Sequence, residues 1–372
     1  MIHCLFLLGY PYITYTNVNI QLKASITNLE DLSNEIVFEI FEYLNFNDIY
    51  KAFSNLNIRY ENLLIDPLFP IKINLSSISK LSFQYYYTQI LVPYQHRIQS
   101  LRISSAFIID LLFASKSIEL NLIHLEKLVL HNVSKSNYFH DLLDYLPSIP
   151  CLTSLVIICK HPVQNKSSIY QQIFRLSQLK YCNISFDGFN KYEILPMAKD
   201  EFSPMEIFII NDRCTITEFN VLLSYVPKLR RLSAPYLIDS DDNQIRSYTS
   251  KLNHLTHFSL DCDCIHFNQF ELMIQNLFPY IQVLHFSTEE NKNFFDAHRW
   301  EHLITCHMPH LRIFDMKISS YLSFIGQRND CINKIEQFSS LFWLERNWFF
   351  TYSFDDHIFG ERIILFSKNS FK

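Results

Sequence analysis

The chain has 372 residues, of which 48% are hydrophobic, 15% aromatic and 19% charged, with a net charge of −5. This composition supplies a large core and excludes long disorder, and the acidic balance without any basic stretch excludes nucleic acid as the main partner. The four glycines, Gly9, Gly188, Gly326 and Gly360, lie too far apart to write a phosphate-cradling loop or a nucleophile elbow, which removes most nucleotide-dependent enzymes. Nine cysteines, an odd number spread through a long chain, fit reduced thiols in the cytoplasm or nucleus better than a disulfide framework. No cofactor and no resident metal is called for by the pattern.

Residues 1–26 form a leader of unknown role. Its start, MIHCLFLLGYPYITY, is apolar but has no basic flank and is broken at Gly9-Tyr10-Pro11. It also falls short of the ~20 apolar residues that spanning a membrane requires, so no membrane partner is expected. A helical region occupies 27–72. Ile36, Ile40 and Leu44 recur at four-residue spacing beside Val37 and Phe41, which predicts an amphipathic helix capped at Ser33 or Asn34. Asn45 and Asn47 break it. Asp48 then offers a carboxylate to the free N–H groups of a second short helix carrying Ile49, Ala52 and Phe53, and a third helix starts near Asn57. Three helices this short cannot bury all their apolar surface against one another, so a partner surface is expected.

The ordered set Leu32-x-x-Glu35-Ile36, Ile40-Phe41-x-Tyr43-Leu44, Asp48-Ile49 and Tyr60 closely resembles an F-box, the motif that docks a Skp-family adaptor of cullin–RING ubiquitin ligases. It departs at Ser33, where the family usually has proline, and at Tyr60, where tryptophan is frequent. The resemblance implies that Leu32, Glu35, Ile36, Ile40, Phe41, Leu44, Asp48 and Ile49 face the adaptor and, through it, a cullin. The chain would then be a non-catalytic subunit, a substrate receptor for an unidentified target protein. A protein-interaction scaffold without ubiquitin transfer is the alternative.

From 73 to 319 a repeat takes over. Its anchor is L-x-x-L-x-L, first as Ile98-x-x-Leu101-x-Ile103 and last as Leu311-x-x-Phe314-x-Met316. The fourth positions fall at 101, 128, 155, 182, 208, 232, 258, 284 and 314, a spacing too regular for chance. Helical patterns closing on proline lie between anchors, at 139–147, 219–227 and 270–279. One strand and one helix per repeat resembles the leucine-rich repeat over Ile98 to Ser319. That implies an α/β solenoid with parallel strands on the concave side, helices on the convex side and the F-box-like helices in front. Lys160 and Asp187 stand where asparagine or cysteine is common, so the loop ladder must be satisfied differently. A (β/α)8 barrel is the rival, but its strands read as continuous apolar runs whereas these alternate. Residues 320–372 lose the period. They are dense in aromatics (Phe342, Trp343, Trp348, Phe349, Phe350), end on a strand-like Arg362 to Phe366, and are expected to cap the open solenoid end.

Two motifs suggest metal chemistry. His298-Arg299-Trp300-Glu301-His302 matches H-x-x-E-H, the remote possibility of a zinc hydrolase, but helical geometry puts Trp300, Leu303, Ile304 and His307 inward and both histidines on the outer face, away from any dry site. In Cys262-Asp263-Cys264-Ile265-His266, Cys262 continues the inward row of Phe258 and Leu260 and behaves as a small hydrophobe. The better functional surface is the outward side of the strands. There Val129, Val156, Ile158, Tyr181, Ile207 and Ile209 form an apolar patch within a polar, mildly basic rim, the anatomy of a surface that binds a target protein. Asn183-Ile184-Ser185 is a glycosylation sequon inside a predicted strand.

Overall fold

The computed structural model describes residues 28–67, 69–76, 78–113, 120–133, 138–161, 163, 165–186, 195–238, 248, 251–263, 265–289, 291–322, 325–357 and 360–368. The leader 1–26, Asp187 and Cys264 lie outside them. The chain divides into two compact units, Met1–Tyr43 and Leu44–Lys372. In the first, helix α1 (Asn34–Glu42) starts after Ser33, which holds the N-cap position in extended conformation, and its buried residues are Val37 and Phe41.

The larger unit opens with α2 (Phe46–Phe53) and α3 (Ile58–Ile65). α2 begins three residues earlier than an Asp48 cap would place it. Asn45 takes the N-cap position, and its side chain is committed elsewhere: it accepts from the Asn74 N–H at 3.0 Å and donates to the Asn74 carbonyl at 3.3 Å. Asp48 instead sits in the first turn, where a carboxylate suits the positive end of the helix. Asn57 caps α3 through the Tyr60 N–H. Phe46 packs its ring on Phe69 and Tyr94, so these helices share a core with the residues that lead into the sheet.

Strands β1 (Ile71–Asn74), β2 (Ile98–Ile103), β3 (Lys127–Val133), β4 (Ser154–Cys159), β5 (Tyr181–Phe186), β6 (Ile207–Ile210), β7 (Cys214–Thr215), β8 (Arg231–Ile238), β9 (His257–Asp263), β10 (Val283–Glu289) and β11 (Ile313–Tyr321) lie parallel. β12 (Phe350–His357) and β13 (Gly360–Ser367) join antiparallel, with β13 against β11. Among the described residues these make one 13-stranded sheet, in sequence order apart from the final hairpin and the short β7, which pairs β8. The strand path ends at β1 and β12, so the sheet does not close into a barrel. β1 lies outside the spacing pattern. Its alternation of Ile71, Ile73 and Leu75 is short and precedes the first anchor, yet Ile73 pairs Leu101 as one more rung.

The register explains the repeat. Leu101, Leu128, Leu155, Cys182, Phe208, Leu232, Phe258, Leu284 and Phe314, the nine fourth-position residues, pair one to the next across the sheet and are all buried. The intervening helices are α4 (Lys80–Tyr86), α5 (Val92–Tyr94), α6 (Ala106–Phe113), α7 (Tyr138–Tyr145), α8 (Lys166–Phe174), α9 (Ile216–Ser224), α10 (Phe267–Leu277) and α11 (Ala297–His307). They cover the face carrying that row, as ring contacts show for Phe219 on Phe258, Phe270 on Phe286 and Trp300 on Phe314. The loop ladder is supplied from shifted positions: Asn132 donates to the Ser104 carbonyl and Asn291 to the Ile265 carbonyl. Among the described residues no helix is long and apolar enough to cross a membrane.

After β11 come α12 (Ile325–Glu336) and α13 (Leu341–Glu345), and around them Trp343 and Trp348 pack on Phe314, with Phe338 behind Trp343. The chain has few glycines, and asparagine takes their left-handed positions: Asn55, Asn132, Asn165 and Asn347 have φ of 61°, 56°, 55° and 57°. At Asn347 the geometry is a complete Schellman stop, with the Asn347 N–H on the Leu344 carbonyl, the Trp348 N–H on the Trp343 carbonyl, and the two tryptophan rings 6.1 Å apart. Asn347→Val is therefore expected to cost about 1–2 kcal/mol and Asn347→Gly almost nothing, read from urea unfolding midpoints. Equal midpoints for the two variants would show that the backbone does not need this conformation.

Candidate interaction surfaces

α1 carries two apolar stripes. Val37 and Phe41, about 40° apart at 100° per residue, point inward, while Ile36, Ile40 and Tyr43 lie within about 60° of one another on a different side. Ile36 is 45% exposed and Tyr43 85%, with Ile40 half-buried. Leu32 is also half-buried and Glu35 exposed. In the larger unit Leu44 and Asp48 are exposed, whereas Ile49 is not. Two of the eight residues expected to face an adaptor are thus corrected: Phe41 and Ile49 are each only 1% exposed. Tyr43 joins the outward stripe without having been expected there, although its place three residues after Ile40 announces it.

The second surface is the sheet face opposite the helices. Three rows cross it. Ser154, Tyr181, Ile207, Arg231, His257, Val283 and Ile313 form one; Val156, Asn183, Ile209, Ser233, Ser259, His285 and Asp315 form the next. Ile158 pairs Ser185 in a third. The continuous apolar patch expected from sequence is therefore interrupted, because Asn183 stands between Val156 and Ile209, and Ser185 beside Ile158. Val129 and Val156 are also only 8% and 9% exposed. Tyr181, Ile207 and Ile209 do come together, and they share a depression of about 310 Å³ with Arg231, Ser233, His257, Ser259 and His285.

Electrostatics on this face are set by a few pairs. His285 Nδ1 lies 3.0 Å from an Asp315 carboxylate oxygen. The His257 ring shares a hydrogen bond of 2.9 Å with the Thr256 hydroxyl, and burial, helped by Arg231 and His285, holds its pKa below the usual imidazole range. Burial, with Arg102, does the same at His131. In the sequon, Asn183 Oδ1 accepts from the Asn211 amide at 3.0 Å, so the side chain is already engaged inside β5.

Away from this face lies a buried ion pair that no sequence motif marks. Lys166, the first residue of α8, reaches both carboxylate oxygens of Asp212 at 2.8 Å, and the two side chains are 9% and 5% exposed. Burial pushes the Asp212 carboxyl up to about 6 against the pull of Lys166, and burial also raises the neighbouring Tyr170, Cys214 and Glu218.

The two metal motifs fall as their helix and strand registers require. Trp300, Leu303 and Ile304 are buried and His298 and His302 exposed, with His302 Nε2 3.7 Å from Cys306 Sγ. Cys262 is fully buried. Among the described residues no group of three or more His, Cys, Asp or Glu side chains is placed to hold a metal ion. The open face offers apolar side chains, the Arg231 guanidinium, imidazoles and hydroxyls. No family model matches the protein, and no curated protein matches it in sequence.

Proposed function

We propose that the protein is the substrate-recognition subunit of an SCF-type ubiquitin ligase, acting in the cytoplasm or nucleus. The F-box-like helices would dock a Skp-family adaptor, and the sheet, read as a leucine-rich-repeat-like solenoid with a C-terminal cap, would hold a target protein. The observation that carries this reading is the outward stripe of α1: a helix that already buries Val37 and Phe41 presents Ile36, Ile40 and Tyr43 besides. Apolar side chains shown on a second face are a docking surface in want of a partner. The in-register row of nine repeat anchors supports the solenoid half of the proposal, since identical units stacked in order give such a row.

The test is affinity purification of the intact protein beside an Ile36→Ala, Ile40→Ala variant. Removing two partly exposed apolar side chains from a docking face is expected to weaken adaptor capture about 100-fold or more while thermal unfolding of the larger unit stays unchanged. Undiminished capture by the variant would overturn the docking face. An adaptor that arrives without a cullin, and without ubiquitin transfer, would leave an interaction scaffold instead.

A further inference from the structure

The depression on the open sheet face has a polarity at odds with the rest of the chain. Tyr181, Ile207 and Ile209 wall it on one side, and Arg231, His257 and His285 on the other. No Asp or Glu lines it, in a protein of net charge −5. The neighbouring Arg230 is taken up by Glu206, 3.4 Å away, and His285 is tied to Asp315. Arg231 differs from both. Its side chain is exposed, and among the described residues no carboxylate pairs with it. An unmatched guanidinium beside an apolar wall is complementary to an anionic group carried next to an apolar one.

Spacing narrows the ligand. Ile207, Arg231 and His257 are in register on adjacent strands, so the apolar wall and the cationic side lie one to two strand spacings apart, about 5–10 Å. An extended peptide advances about 3.3 Å per residue, so a carboxylate one to three residues from an apolar side chain bridges that distance. At about 310 Å³ the depression takes one or two side chains and is at the lower limit for a whole small-molecule ligand. A single unpaired arginine is also too few cations for a nucleic-acid backbone.

We propose that this depression seats a polypeptide segment of the target in which a branched or aromatic residue is followed, within three positions, by an acidic residue or a C-terminal carboxylate. The proposal rests on reading the sheet face as target-binding. Arg231 receives the carboxylate as a bidentate partner, His257 and Ser259 flank it, and Tyr181, Ile207 and Ile209 hold the apolar side chain.

The test is selection from a positional-scanning hexapeptide library by the full-length protein, with adaptor capture measured on the same preparation. Peptides pairing an aromatic or branched residue with a following Asp or Glu are expected to be enriched about 10-fold over their Asn or Gln counterparts. Arg231→Glu is expected to abolish that preference. Arg230→Glu makes the same change of charge at a side chain engaged by Glu206 and is expected to leave it intact. Absence of any acidic preference, a preference for phosphorylated over carboxylate residues, or one that survives Arg231→Glu would overturn the proposal. Peptide selection without adaptor capture would remove the ligase reading alone, and adaptor capture without peptide selection would remove this proposal alone.

Discussion

A chain beginning at Ile73 and running to Lys372 is expected to be recovered aggregated or without cooperative unfolding, whereas one beginning at Leu44 unfolds in a single step. Residue 73 is where sequence pattern starts the repeat region. The packing places the start of its core earlier. Phe46, Ile49, Tyr60, Leu63, Leu64, Phe69 and Ile71 are all at most 4% exposed. At roughly 1.5–3 kcal/mol for each large side chain, their removal strips about 10–20 kcal/mol of burial, as much as the whole stability of an ordinary domain. Arg97 would suffer as well. Its guanidinium donates to the carbonyls of Leu64, Asp66 and Phe69, and truncation would leave those donors half-buried without acceptors. The edge of β2 would also lose the first half of its parallel partner β1, Ile71 and Lys72. The measurement is urea unfolding monitored by circular dichroism, with size-exclusion chromatography of both chains. A cooperative transition for the shorter chain at the same midpoint would show α2, α3 and the start of β1 to be an appendage.

The elements that sequence pattern places well are those where one physical period is repeated many times. Nine anchors at similar spacing leave little freedom, and Leu101 through Phe314 pair as the spacing demands. Where a period occurs once, it leaves a choice. The helical period of α1 gives the angles of Ile36, Val37, Ile40 and Phe41 but not which stripe meets the core, and so Phe41 reads from sequence as a contact residue. The anchor spacing also places Val156, Asn183 and Ile209 in one row, each a residue after its anchor, so the break at Asn183 is legible, and only picking the apolar members out of that row makes the patch read as continuous. The pairing of Arg231 with His257 follows from the anchors Leu232 and Phe258 in the same way, whereas the engagement of Arg230 by Glu206 and of His285 by Asp315 depends on side-chain conformation and is not written in any period. The Asp48 cap failed through competition. Asn45 holds the cap position, while its side chain satisfies the Asn74 backbone 29 residues away.

Lys166→Met is expected to lower stability by about 3–5 kcal/mol at pH 8 and by little at pH 5. The two side chains of the Lys166–Asp212 pair come from positions 46 apart, which is why no local pattern announces it. Their burial makes the result depend on pH with a definite sign. The Asp212 carboxyl is raised from an ordinary 3.8 to about 6, first by burial. Between those values the folded protein binds a proton that the unfolded chain has released, so this group's contribution to stability is full below about pH 4 and is lost as pH rises through 6. Above that, the folded state holds a carboxylate whose charge Lys166 neutralises. Methionine leaves it unpaired in a site 5% exposed, beside Glu218 and the neutral Tyr170 and Cys214. At pH 5 Asp212 is largely protonated, and the buried ammonium has already lost its counter-charge, so replacing it costs little. Adding Asp212→Leu removes the stranded charge, and the double variant is expected to regain most of the loss at pH 8, because a buried pair exchanged whole for apolar side chains is commonly neutral. Urea unfolding at pH 5, 7 and 8 separates these outcomes. A penalty of equal size at every pH, or a double variant as unstable as the single one, would mean that Lys166 stabilises the start of α8 through the packing of its methylenes and not through its charge.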